Sequence, residues 1–183
     1  MERQEALELI KKNVKNKNLL KHMLSCEAVM AALAKHFGEN EEKWALAGLL
    51  HDIDYDYTKN EPHRHSLLGS EMLAEAGLHQ DIVYAVKSHN GIHGLERKGK
   101  MDMALFCTDP LTGLIVAGAL IKPEKSLATI DVGFLLNRFE EKGFARGASR
   151  VQIAACRELD LSLEEFFRIG LQAMQGIHKE LGL

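Results

Sequence analysis

Apolar residues recur at helical spacing along almost the whole chain, whereas strict alternation, the mark of a half-buried strand, is nearly absent. Leu19, Met23, Cys26, Met30, Leu33 and Phe37 follow a three-then-four rhythm that lines one helix face, and Gly38 supplies a stop signal. Residues 44–53 are apolar on all sides, as a helix at the centre of a bundle requires. The same reasoning predicts helices near residues 64–76, 79–90, 101–120, 128–141, 147–158 and 163–181. Ser162 and Glu165 open the last of these in a capping-box pattern. Loop signals fall near residues 59–62, 91–100 and 122–125. The pattern predicts an all-α helical bundle of roughly eight to ten helices.

Composition narrows the class without changing it. A chain of 183 residues favours one domain over two. Its 46% hydrophobic and 27% charged content are globular values. The formal charge of -3, with no long basic block, argues against nucleic-acid binding driven by phosphate neutralisation. Cys26, Cys107 and Cys156 are odd in number and far apart, so they read as reduced, buried residues of a cytoplasmic protein. The opening residues are charged throughout, unlike a secretory signal. Residues 103–121 are apolar enough to raise a transmembrane question. Asp109, Pro110 and glycines interrupt them, so a buried core helix is expected and no membrane partner.

Candidate chemistry begins at residues 49–57, LLHDIDYDY, where His51 and three aspartates follow an apolar run. Asp52-x-Asp54-x-Asp56 imitates the start of a calcium loop. Such a loop needs glycine at its sixth position and glutamate at its twelfth, and here those positions are Tyr57 and His63.

A different pattern emerges from the phase of each histidine on its predicted helix. His22 shares a face with Cys26, Val29 and Leu33, and His65 continues into Leu68, Gly69, Met72, Leu73 and Ala76. His89 closes the series Ile82, Ala85, Val86, and Asp109 follows Leu105 and Phe106 in the most apolar stretch. With His51 and Asp52 at the end of the central helix, six ionisable side chains point inward. One buried histidine is usually a hydrogen-bonded core residue. Six inward groups, two of them carboxylates that are costly to bury unpaired, are better explained by one shared metal centre. Asp52 has two oxygens and can bridge two cations, while Asp54 and Asp56 read either as partners supporting the metal ligands or as solvated acids, with solvation the favoured reading. His36, His63, His79 and His178 fall at helix ends or on mixed faces and are expected at the surface.

The order His22, His51-Asp52, His65, His89, Asp109 resembles the HD-domain superfamily of metal-dependent phosphohydrolases, the dyad being the His-Asp of "LLHD". The resemblance implies a single HD-domain bundle with its core at about residues 19–120 and a helical extension over 121–183. It implies that His22, His51, Asp52 and Asp109 hold a first metal. His65 and His89 match the two-metal branch, in which Asp52 would bridge, with Asp52 and His51 at the catalytic centre. That branch includes diadenosine tetraphosphate hydrolases. The same ligand set serves diiron oxygenases such as myo-inositol oxygenase, so a mixed-valence diiron oxygenase acting on a small organic substrate is the alternative. Asp54 stands where many members have glycine, and Ser88-His89 replaces the paired histidines of cyclic-dinucleotide phosphodiesterases, which argues against that substrate.

Mixed imidazole and carboxylate ligands suit two divalent transition metals, iron, manganese, cobalt, nickel or zinc. Phosphate-binding helpers should be cationic or polar and near the centre; Arg64, Lys87, His93, Lys122, Lys125, Arg146 and Arg150 are the candidates. The expected substrate is a small phosphorylated metabolite, a nucleotide or dinucleoside polyphosphate, and not a nucleic-acid polymer.

Overall fold

The computed structural model describes residues 1–183 and contains helices and no strands. In chain order the helices are α1 (Arg3–Asn13), α2 (Lys17–Phe37), α3 (Glu41–Leu50), α4 (Tyr55–Thr58), α5 (Leu67–Glu75) and α6 (Gln80–His89). They are followed by α7 (Lys100–Leu120), α8 (Val132–Glu140), α9 (Arg150–Ala154), α10 (Leu163–Gly176) and α11 (His178–Leu181). Short 3-10 turns lie at Gly91–His93, Leu127–Thr129 and Ala155–Leu159.

The α2–α3 hairpin shows how local sequence sets this architecture. Gly38 ends α2 at φ 68, a left-handed conformation that glycine adopts without a Cβ clash. Two residues later the Asn40 side chain accepts from the Lys43 amide and caps α3. The two helices then run so close that a Cβ on Gly48 would lie 2.5 Å from the Cys26 carbonyl oxygen. Across this seam α7 is the central helix, packed against α2, α6, α9 and α10. It is long and apolar enough to cross a membrane, yet 67% of its most apolar window is buried inside the bundle. Pro110 sits within it without ending the helix. One hydrophobic cluster of 44 buried residues runs from Ala6 to Leu181, so residues before and after 120 share a core.

Several predicted boundaries move. α5 starts at Leu67, not 64, because Ser66 has φ 71, which no helix residue can hold. The predicted 147–158 helix is α9 followed by a 3-10 turn, and 163–181 divides at Ile177 into α10 and α11. The Ser162 hydroxyl accepts from the Glu165 amide as expected, but the Glu165 carboxylate pairs with Arg168 at 3.4 Å and leaves the capping box half made. All three cysteines are buried and free. Burial pushes the Cys156 thiol up to about 11.

Arg150 has a different job from the one the sequence suggested. Its guanidinium donates to the carbonyls of Arg138, Phe139, Glu141, Phe144, Ala145 and Ala148, and so gathers the whole 138–148 turn around one side chain. Its donors are thus committed to backbone, with none aimed at a ligand. Arg150→Ala should lower stability by about 2–3 kcal/mol through those orphaned carbonyls. Thermal unfolding of the metal-free protein measures this; an unchanged midpoint would show that the turn holds without the arginine.

Candidate metal centre

Five separate segments bring the predicted donors together. His22 comes from the second turn of α2, and His51-Asp52 from the end of α3. His65 comes from the turn before α5, His89 from the last residue of α6, and Asp109 from the middle of α7. His51, Asp52 and His89 are buried, while the side chains of His22, His65 and Asp109 keep 24%, 14% and 33% of their exposure toward a cleft. His36, His63, His79 and His178 are all exposed.

The donors surround Asp52 in two groups. Its Oδ2 lies 3.6 Å from His22 Nε2 and 3.5 Å from His51 Nε2. Its Oδ1 lies 3.3 Å from His65 Nε2 and 3.6 Å from His89 Nε2. His22 Nε2 is also 3.1 Å from His51 Nε2 and 3.2 Å from Asp109 Oδ1. Donors bound at about 2.1 Å to one ion, 90–110° apart, are separated by roughly 3.0–3.4 Å. Three of the six separations fall in that range and the other three, at 3.5–3.6 Å, lie just above it, so the donors stand close enough to serve as ligands around common centres.

Proton placement makes the same point. His51 Nδ1 donates to the Gly48 carbonyl at 2.8 Å, and His89 Nδ1 donates to the Val86 carbonyl at 2.6 Å. His65 Nδ1 donates to Asp54 Oδ1 at 3.0 Å. The Thr112 hydroxyl donates to the Asp109 carbonyl and accepts from His22 Nδ1, each at 3.0 Å. In the neutral form every Nδ1 thus carries the proton, and four bare Nε2 lone pairs converge on a carboxylate. Such a set is mutually repulsive unless a cation sits among it, and its donor chemistry fits a divalent transition metal.

Electrostatics agrees. Burial alone would raise Asp52, but His51, His89 and His22 around it hold its carboxyl well below the usual carboxylate range. Burial is likewise outweighed at Asp109, which the hydrogen bond to His22 lowers. Burial drives His51 down to about 4, so it stays neutral, whereas Asp52 holds His89 above the ordinary histidine value against its burial. Against its burial, His22 is likewise held well above the ordinary histidine value by Cys26 and Asp109, so the charge opposite the two carboxylates rests on His22 and His89, where a divalent cation would take its place.

At Asp54 the structure replaces the favoured sequence reading, a solvated acid, with its alternative, a partner of a metal-ligand histidine. Asp54 is fully buried, not solvated. Its Oδ2 accepts from the amides of Ser66 at 2.8 Å and Gly69 at 3.0 Å, while Oδ1 buttresses His65. A Cβ on Gly69 would stand 3.2 Å from the Asp54 carboxyl, so glycine permits this approach. Asp56 is half-buried and accepts from the amides of Lys15 and Asn16, pinning the start of α2. Thr112, three residues after Asp109 on the same helix face, was also missed, although that spacing would have revealed it.

His22, Asp52, His65, His89 and Asp109 open into a cleft of about 700 Å³, with His51 beneath them. The other walls are Asn16, Leu19, Tyr55, Ile92, Phe106 and Gln152, with Asn90 and Gly91 at the edge. No lysine or arginine lines it. The proposed phosphate-binding cations are engaged or directed elsewhere. Arg64 pairs with Glu61 at 3.0 Å, and Lys122 lies over the Phe134 ring at 4.1 Å. Lys87, Lys125 and Arg146 are exposed outside the cleft. His93 donates from Nε2 to the His65 carbonyl at 2.8 Å, which steadies the turn that carries His65.

An all-α bundle with a buried His/Asp centre opening into a cleft is a frame able to hold metal ions. The HD domain family matches residues 19–123, and the chain belongs to that family. Among curated proteins it is similar to Ribonuclease Y of Lawsonia intracellularis, 30% identical over 88 residues, 48% of this chain and 16% of that one. Ribonuclease Y of Oleidesulfovibrio alaskensis is 24% identical over 98 residues, 54% and 18% of the two chains. That of Chloroflexus aurantiacus is 33% identical over 73 residues, 40% and 14%. The matched segment is thus less than a fifth of the length of these relatives. No solved structure is a significant match.

Proposed function

We propose that this HD-domain protein is a dinuclear, metal-dependent phosphohydrolase that cleaves the ester of a small phosphorylated molecule. The observation that supports this above all is the division of Asp52, with Oδ2 toward His22 and His51 and Oδ1 toward His65 and His89. On this reading His22, His51, Asp109 and Asp52 would hold one ion, and His65, His89 and Asp52 the other. Divalent ions bound there would supply a water nucleophile of lowered pKa and neutralise charge on the phosphoryl group. The chain's own residues do the rest. The Nδ1 hydrogen bonds fix each imidazole in the tautomer that presents Nε2 inward. Burial of His51 and His89 keeps water from the back of the centre, and Leu19 and Phe106 flank its open side.

The test is phosphate release by metal-replete protein from a panel of phosphate monoesters, nucleotides, dinucleoside polyphosphates and RNA. Release should require metal, stop with a chelator and resume when manganese or iron is restored. Absence of hydrolysis throughout, with oxygen uptake and a coupled Fe(II)/Fe(III) resonance, would instead make the protein an oxygenase. The relatives' name points to RNA; degradation of long RNA with small esters untouched would also overturn the proposal.

The role of Asp54 can be isolated. Asp54→Asn keeps the volume but presents an amide to His65 Nδ1, so the buttress is lost. The second ion should weaken about 10–100-fold while the first is retained. Elemental analysis after dialysis should fall from two ions per chain toward one; unchanged stoichiometry and affinity would remove Asp54 from the metal reading.

A further inference from the structure

Resting on the phosphohydrolase reading, we infer that the substrate carries a single phosphoryl group on a neutral body with a flat apolar face and a hydrogen-bonding edge. The cleft wall facing the metal centre recognises that body. Its charge distribution is the first ground. The titratable groups that line the cleft are Asp52, Asp109, His22, His65, His89 and Tyr55. One phosphoryl group can be met by the metals, but a second or third would be desolvated beside two carboxylates without a cation to receive it. An oligonucleotide meets the same obstacle at every phosphate.

The second ground is the wall itself. Ile92 is 59% exposed and Tyr55 40% exposed, large apolar surfaces left in water at the mouth of a concave site. Phe106 also lines the cleft but is buried and carries the Arg97 guanidinium 3.9 Å over its ring, so Tyr55 and Ile92 are the surfaces left open to a flat ring. Tyr55 stands edge-on to His65 with ring centroids 5.3 Å apart, which places this face directly beside the donors. Isolated exposed apolar residues carry no message, but two at the mouth of one cleft, beside its donors, do.

The third ground is a pair of uncommitted amide groups. Asn90 is saturated, since it donates to the carbonyls of Pro62 and His65 and accepts from the Ile92 amide. Asn16 uses its oxygen to cap α2 and leaves its Nδ2 free. Gln152 lines the cleft from α9; its backbone N–H donates to Ser149 Oγ and its carbonyl accepts from the Ala155 amide, while its side-chain amide has no partner. A glutamine side chain offers one donor and one acceptor edge, complementary to a ring bearing the same pair, as in a nucleobase. A nucleoside carrying one phosphate meets all three conditions.

Two measurements test this. With metal-replete protein, kcat/KM should be highest for a nucleoside monophosphate and lower by about tenfold or more for the di- and triphosphate of the same nucleoside. Gln152→Ala and Ile92→Ala should each reduce the ratio of kcat/KM for the nucleoside monophosphate to that for methyl phosphate by about tenfold. That is the effect of roughly 1.4 kcal/mol of lost contact. Independently of turnover, calorimetry should show the free nucleoside binding to metal-free wild-type protein and binding at least fivefold more weakly to Gln152→Ala. Preference for polyphosphates or oligonucleotides would overturn the inference, as would equal losses on methyl phosphate or no difference in nucleoside binding. No hydrolysis of any ester, with nucleoside binding intact, would instead reject the phosphohydrolase reading and leave the recognition wall standing.

Discussion

Asp52→Ala should retain neither ion, and phosphate release should fall by at least about a thousandfold, or roughly 4 kcal/mol of barrier. Each oxygen of this carboxylate faces a different pair of imidazoles, so a single truncation removes a ligand from both positions. No neighbour can replace it. Asp54 is turned toward the Ser66 and Gly69 amides, and Asp56 reaches the start of α2. The fold itself should survive, because the donors are added to a bundle whose core is apolar. In the wild type, added metal should raise the melting temperature by mass action on the native state. In Asp52→Ala the melting temperature should not respond. Elemental analysis and melting curves with and without manganese decide this; normal metal content in the variant would refute the bridging role.

Gly48→Ala should be the most destabilising small substitution in the chain. The added Cβ would lie 2.5 Å from the Cys26 carbonyl oxygen, 2.7 Å from its carbon and 2.9 Å from the Glu27 nitrogen. All three are backbone atoms in the middle of α2, so relief requires the two helices to separate. Gly170 and Gly118 make the contrast. A Cβ there would also come within 2.8 Å of a neighbour, but the neighbours are the side-chain tips of Leu111 and Leu135, which can turn aside. Overpacking against movable side chains costs about 1–3 kcal/mol. The clash with backbone should exceed about 4 kcal/mol, the range reserved for a specific structural failure. Urea unfolding of Gly48→Ala beside Gly170→Ala provides the comparison, and equal losses would contradict the argument. The effect should extend to the centre, because the Gly48 carbonyl is the acceptor that fixes His51.

The bundle and the positions of the six donors were legible because both depend on periodicity. An inward-facing polar residue stands out against an apolar stripe, and His22, His89 and Asp109 lie on helices that keep the expected phase. His65 was found for a partly mistaken reason. It precedes α5, yet the turn before it keeps helix-like bonds, Leu68 N to Arg64 O at 3.1 Å among them, so the phase is nearly preserved. What was not legible depends on tertiary partners. Nothing local distinguishes Asp54 from a solvated acid, since its burial comes from the Ser66 and Gly69 amides more than ten residues away. Arg150 looked like a phosphate ligand because a cation near a site and a cation gathering backbone carbonyls share the same letter. The cleft walls were equally hidden, since Tyr55, Ile92 and Gln152 meet only when α4, the turn after α6 and α9 come together.

The centre is assembled from distant parts of the chain, with ninety residues between Thr112 and the His22 ring it orients. Synthesis proceeds at roughly 5–20 residues per second, so the first imidazoles leave the ribosome seconds before α7 exists. On the dinuclear reading, capture by the full donor set has to wait for the docking of α7, which carries Asp109 and Thr112. The ion would then be drawn from whatever labile pool the assembled centre meets. Raw affinity in such nitrogen and oxygen sites rises from manganese through iron and cobalt to copper. The occupant of freshly made protein will accordingly report the metal supply of its producing cell, and a different growth medium should yield a different metal complement from the same sequence.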